Sequence, residues 1–266
     1  MQATYKRHMG TDLDVVDNAR VSFLKTSQWD ELNDDNGPAL KAGDVALIKF
    51  LSRGMPEAEF EALAALLPFQ HRNVIKERLL KFRNTPTHWA PFANGIRITF
   101  HVKAPIPIMR QLFKHKVGAE ESEVSRRYVD DEPEFFFPDW REAAENVKQG
   151  SGGPHEMITE TWSEFFGEPV MEDMNVRYET FLLDAGLLYD DMIKAKVCPE
   201  QARFVLPQAA YTEAIISHSL YGWSNVFNQR TDAHAQKEIQ DLTKMIGQQV
   251  EPLFPVSWKA LTAPLD

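Results

Sequence analysis

Residues 95–103, GIRITFHVK, alternate strictly: Ile96, Ile98, Phe100 and Val102 are apolar, and Arg97, Thr99, His101 and Lys103 are polar. An extended chain sends successive side chains to opposite faces. The segment therefore predicts a strand with one face in a core and the other in polar surroundings. Pro105 and Pro107 end it, because proline cannot donate to a ladder, and both suit the first turn of a following helix. Any fold for this chain must lay an apolar layer against one side of that strand.

Helical patterns supply candidates for the layer. Asp44 is placed to cap a helix over VALIKFLSR. Pro56 opens another, running to Leu67 with Phe60, Leu63, Ala64 and Leu67 on one face, and a third stretch over 71–83 carries Val74, Ile75, Leu79 and Phe82. Residues 12–23, DLDVVDNARVSF, predict an early strand running into a turn. Further on, DDEPEFFFPDW reads as an extended excursion, and 146–156, with Gly150, Gly152, Gly153 and Pro154, as a loop. The rest reads as helical. One long helix falls within 157–186, with Met171, Met174, Tyr178, Phe181 and Leu182 on its buried face. A short one at 199–206 stops at Pro207. Long ones follow at 208–228 and 232–249, the last capped by Thr231 or Asp232. Strands early and helices late predict an α+β fold: a central, mostly antiparallel sheet packed with helices, and a helical C-terminal third.

At 266 residues the chain can build one well-cored domain, and its balance of 43% hydrophobic and 26% charged residues is that of a soluble globular protein. A formal net charge of -10 argues against a general binder of nucleic acid polymers. One cysteine, Cys198, leaves no disulfide framework and no cysteine-rich metal site. The eight histidines show no HExxH spacing, so no metal centre is expected. The opening residues have no signal-peptide core, and no apolar run reaches membrane-spanning length. The expected location is the cytoplasm, of a bacterium or of a phage-infected cell.

Against that acidic balance, residues 110–128 gather Arg110, Lys114, His115, Lys116, Arg126 and Arg127. A local basic concentration suits a small anion such as a phosphate or nucleotide, although a solvated charged hairpin has the same pattern. Gln111, Lys114 and His115 share one face if helical. Glu123, Ser125 and Arg127 share one if extended.

The stretch Lys114-His115-Lys116, a loop, then Ser122-Glu123-Val124-Ser125-Arg126-Arg127-Tyr128 resembles the signature of the flavin-dependent thymidylate synthases. That signature runs Arg-His-Arg, a loop, then Asn-Glu-x-Ser-x-Arg-Tyr. Here lysines stand for both arginines, Ser122 stands for Asn, and the loop is one residue longer. Four further blocks follow the family's order. Residues Gly10 to Phe23 resemble its opening strand, with Ser22 near the flavin. His88-Trp89-Ala90-Pro91-Phe92 resembles its His-x-x-Pro-Phe turn, with Ala93 and Asn94 where Glu and His are usual. Glu200 to Pro207 resembles Glu-x-Ala-Arg-x-x-Leu-Pro. Asn225 to Arg230, then His234-Ala235-Gln236-Lys237-Glu238-Ile239, resembles Asn-Phe-x-x-x-Arg…His-Ala-Gln-x-Glu-Ile.

The resemblance implies one domain over 1–266, with the helices near 56–85 as an insertion. It implies transfer of a methylene from methylenetetrahydrofolate to dUMP and its reduction by flavin hydride to give dTMP, with FAD as cofactor and NADPH as reductant. It assigns Arg110, Gln111, Lys114, Glu123, Ser125, Arg126, Arg127, Arg203 and Arg230 to the nucleotide, with Ser125 and Arg230 closest to the chemistry. It assigns Ser22, His88, Lys114, His115, Lys116, Glu123, Ser219, Tyr221 and Asn225 to the flavin, Ser219 and Tyr221 standing where the family has Asn and Arg. It implies a homotetramer with shared active sites, and no cysteine nucleophile, which leaves Cys198 incidental. Two alternatives stay open: a pyrimidine nucleotide hydroxymethylase, and an inactive nucleotide- or flavin-binding homologue.

Overall fold

The structure is a computed structural model that describes residues 1–30, 39–55, 57–67, 74–76, 79, 85–86, 88–145 and 150–263. In chain order its elements are β1 (Gln2–Met9), α1 (Asp12–Arg20), α2 (Ala42–Leu51), α3 (Glu57–Ala65), β2 (Arg97–Pro105), α4 (Ile106–Leu112) and β3 (Ala119–Glu123). Two hairpins follow, β4 (Arg141–Ala143) with β5 (Ser151–Pro154), and β6 (Ile158–Ser163) with β7 (Glu168–Asp173). Then come α5 (Met174–Lys194), α6 (Pro199–Ala202), β8 (Tyr211–His218), α7 (Leu220–Arg230), α8 (Lys237–Val250) and α9 (Pro255–Thr262).

The central sheet is antiparallel throughout, in the order β1-β2-β8-β3. The alternating strand is β2, and its apolar residues Ile98, Phe100 and Val102 are fully buried, as is Ile96 just before it. Ala214 and Ile216 of β8 extend that face. Ile108, Met109 and Leu112 of α4, Leu220, Trp223 and Val226 of α7, and Ile239, Leu242, Ile246 and Val250 of α8 belong to the same core. The Trp223 indole donates to the Ile98 carbonyl at 2.9 Å and meets Phe100 edge-on, which fixes α7 under β2. Gly247 gives α8 its close approach: a Cβ there would lie 2.5 Å from the Phe227 ring. Asp12, buried at the start of α1, accepts the amides of Val256 and Ser257 at 2.8 and 3.0 Å and so satisfies the N-terminus of α9. On the opposite face of β2, Thr99 is buried beside the Ser217 hydroxyl, while Arg97, His101 and Lys103 are half-buried.

Several expectations are corrected. Residues 12–20 are helical, with a 3-10 turn at Val21–Phe23, and the first strand is β1 instead. The Thr11–Asp14 capping box explains this, because it satisfies amides at the start of the helix. Asp44 does not cap α2. It sits buried inside the first turn, where it holds Arg20 and Ser27. Residues 158–173 form a hairpin that leaves Met171 exposed, and on α5 Phe181 is more than half exposed while the buried side is Leu182, Ala185 and Tyr189. Residues 151–154 form β5 rather than a loop. Residues 211–218 are the strand β8, so the final third is not uniformly helical. The last long helix begins at Lys237, after Gln236 at the cap position. Helix α3 falls in the expected insertion, and most of the stretch 71–83 lies outside the described residues.

Candidate active site

Helix α4 ends at Leu112, and the chain then tightens through turn bonds from Lys114 N–H to Gln111 and from His115 N–H to Leu112. The shared helical face expected for Gln111, Lys114 and His115 is therefore broken. Lys114 is exposed, whereas His115 folds inward to Arg230 at the end of α7. Arg230 Nε donates to His115 Nε2 at 2.9 Å, and Arg230 Nη2 donates to the Gln111 carbonyl at 3.1 Å. The Gln111 amide donates to Gln236 at 2.6 Å. Burial first, and the Arg230 charge second, lower the His115 pKa to about 4. An arginine has only donors, so Nε2 must be the acceptor and the imidazole neutral.

Gln111, Asn225, Arg230 and Gln236 line one cleft of about 1230 Å³. Arg53, Thr85, Arg141 and Ser151 line it too, and sequence reasoning missed all four. Arg141 holds the buried Glu238 carboxylate through two bonds of 2.8 and 2.9 Å and donates to Ser151. Its place depends on the β4–β5 hairpin, for which the sequence offered only glycines.

A second cleft, of about 790 Å³, gathers Arg110, Glu123, Ser125, Arg126 and Arg203. Strand β3 ends at Glu123, which accepts from the Thr212 hydroxyl at 2.8 Å, and a turn from Ser125 to Tyr128 replaces the expected extended segment. In that turn the Arg127 amide reaches the Ser125 hydroxyl at 3.4 Å, and the Arg127 guanidinium pairs with Glu200 at 3.2 Å. Arg126 donates to the Asp131 carbonyl at 2.6 Å and lies over the Tyr189 ring, so it fastens the turn to α5. Arg110 donates to Gln208, and Arg203 to the Glu200 carbonyl.

Two of the residues assigned to the flavin, Ser219 and Tyr221, stand at the start of α7. Ser219 caps that helix by accepting the Gly222 amide at 3.0 Å. Gly118, at φ +71°, comes so close that a Cβ there would lie 3.4 Å from the Ser219 hydroxyl. Tyr221 stacks on Trp89, with centroids 5.8 Å apart, and His88 stacks on Phe50 at 6.0 Å. The Lys114 side chain is exposed. Lys116 pairs with Glu121. Ser22 is exposed and donates to the Ala19 carbonyl.

Residues 7–256 match the family described as thymidylate synthase complementing protein. The chain belongs to that family. It is 30% identical over 173 residues to the flavin-dependent thymidylate synthase of Thermosipho africanus, covering 65% of this chain and 71% of that one. To the flavin-dependent thymidylate synthase of Treponema denticola it is 26% identical over 250 residues, 94% of this chain and 74% of that one. The fold is similar to that of the UMP/dUMP methylase PolB from Streptomyces cacaoi bound with 5-Br dUMP, with a TM-score of 0.65, 23% identity, and 98% and 94% of the two chains covered. Flavin-dependent enzymes of this family are thus its relatives along nearly the whole length. Among the described residues no helix is long and apolar enough to cross a membrane, and none of their acidic, histidine or cysteine side chains cluster as a metal site.

Proposed function

We propose that the protein is a flavin-dependent thymidylate synthase that methylates dUMP to dTMP, with FAD as cofactor, methylenetetrahydrofolate as carbon donor and NADPH as reductant. The observation that carries this reading is the Arg230–His115 bond. It joins the signature to the C-terminal block, 115 residues away, on a wall of the larger cleft. His88, Ser219, Tyr221, Asn225 and the lysines at 114 and 116 would hold the flavin, which supplies the hydride when bound. Ser125, Arg127 and Arg203 would take the nucleotide phosphate, for which a guanidinium fork is well shaped. Arg230 would face the uracil and stabilise negative charge on its ring. Incubating the protein with FAD, NADPH, methylenetetrahydrofolate and dUMP should give dTMP by mass spectrometry. A hydroxymethylated nucleotide would move the reading to the modified-base alternative, and a parallel incubation with UMP tests the ribonucleotide. Binding without turnover would point to an inactive homologue.

The assembly belongs to the same reading. Gln111 and Arg230 line one cleft and Arg110, Glu123, Ser125, Arg126 and Arg203 the other, a division expected of a site completed by neighbouring chains in a homotetramer. Helix α5 also carries an exposed apolar stripe of Val176, Leu183 and Leu187, flanked by Phe181 and Leu188, each more than half exposed. A large exposed apolar patch is characteristic of an interface. The expected result for Leu183→Asp with Leu187→Asp is a smaller species by light scattering. An unchanged mass would place the subunit contacts elsewhere.

A further inference from the structure

We propose that His115 is a positioning residue for Arg230. Its unprotonated Nε2 and the Gln111 carbonyl together hold one edge of the guanidinium, so that the opposite edge addresses the nucleotide in the cleft. The inference rests on the nucleotide reading given above. It deepens that reading by moving the central histidine of the signature from the flavin to the nucleotide side.

Two observations carry it. A guanidinium has five N–H groups in a rigid plane. Two are committed here, Nε–H to His115 at 2.9 Å and one Nη2–H to the Gln111 carbonyl at 3.1 Å. Both lie on the same edge, so the ring plane and its direction are fixed together. The other three have no protein acceptor recorded among the described residues, and Arg230 lines the cleft that Asn225 also lines. A pair of parallel N–H groups is thereby left to meet a planar acceptor, which a lysine could not match.

The second observation is that the hold works with only one state of the imidazole. Nε2 must present a lone pair, which places the proton on Nδ1. Half-burial and the adjacent Arg230 charge both oppose a second proton. The turn after α4 has a matching purpose. Its tight bonds bring the His115 ring inward while Lys114 stays in solvent.

The test has a part that needs no nucleotide. Two-bond proton–nitrogen NMR on histidine-labelled protein at neutral pH should show His115 neutral with the proton on Nδ1, and the Nε2 signal should shift in Arg230→Ala. A proton on Nε2, or a signal indifferent to Arg230→Ala, overturns the proposal. Titration calorimetry gives the second part. His115→Ala should bind dUMP about tenfold more weakly, the loss expected when an orienting hydrogen bond goes, while flavin affinity stays within about twofold. His115→Gln, which can offer an acceptor oxygen at a similar reach, should recover most of the loss and guards against a folding defect in the alanine variant. The double variant His115→Ala/Arg230→Ala should bind no more weakly than Arg230→Ala alone. Additive losses, or a loss confined to flavin affinity, overturn the proposal. Absence of dUMP binding in the unaltered protein would instead sink the functional reading, and the NMR result alone would then decide whether His115 holds Arg230.

Discussion

Arg230→Ala is expected to lower kcat/KM for dUMP by about a hundredfold or more, the usual cost of removing a donor aimed at developing negative charge. The side chain is half-buried at the end of α7, where His115 and the Gln111 carbonyl fix it. Truncation removes the positive charge from the cleft and leaves two acceptors without their donor. Because ordering of the guanidinium precedes binding, the loss should fall on kcat as well as on KM. Arg230→Lys restores the charge without the fork and should recover only part of the activity. The measurement is steady-state kinetics with dUMP varied, paired with a thermal melt to show that the variant is folded. A folded alanine variant within about tenfold of the unaltered protein would remove Arg230 from the chemistry.

The core was legible wherever a period of two or of 3.6 ran undisturbed. Ile96, Ile98, Phe100 and Val102 are buried as their alternation requires, and the short helix before Pro207 ends where proline stops it. The reading failed where a strand is covered on both edges and looks like a helix. Strand β8 lies between β2 and β3, and its run YTEAIISH continues into the helical LYGWSNVF without an apolar break. The available signal was Ser219, extended at φ −66° and ψ 163°, whose hydroxyl caps α7. Pro169 was the corresponding signal against a helix through 157–186, because an interior proline would remove a bond and clash with the preceding turn.

The site was legible as a set of residue types and less so as a geometry. Blocks far apart in the chain named Gln111, His115, Asn225 and Arg230, and the fold brings the first, second and fourth into direct hydrogen-bonded contact. Pairwise geometry could not be read the same way, because it depends on where α4 stops. One more helical turn would have put Lys114 and His115 on the same face. Arg141 and Ser151 show the limit from the other side. They reach the cleft through a short hairpin whose second strand, SGGP, is exposed and has no apolar alternation to announce it.

Stability should fall as the pH drops from about 6.5 toward 4, and His218 should carry much of the fall. The ring is 1% exposed, packed against Trp223 at 4.8 Å and against the backbone of Gly222, where a Cβ would lie 2.5 Å from Nδ1. Its Nδ1 has no hydrogen-bond partner among the described residues. Burial first, then the nearby His115 and Arg97, lower its pKa from an ordinary 6.5 to about 4. The sign follows from proton uptake. Between those two values the unfolded chain protonates this histidine and the folded chain does not, so unfolding is favoured as the solution becomes more acid. The stabilisation is complete above about 6.5 and is lost progressively on the way down to 4. A difference of that size corresponds to roughly 3 kcal/mol. His115, lowered in the same direction, adds a smaller share because it is only half-buried. Urea denaturation at pH 7 and pH 4.5 gives the slope directly. In His218→Leu the slope should flatten by most of that amount, leaving the carboxylates and His115 to set what remains. An equal slope in the variant would mean that His218 gains its proton as readily in the folded protein as in the unfolded chain.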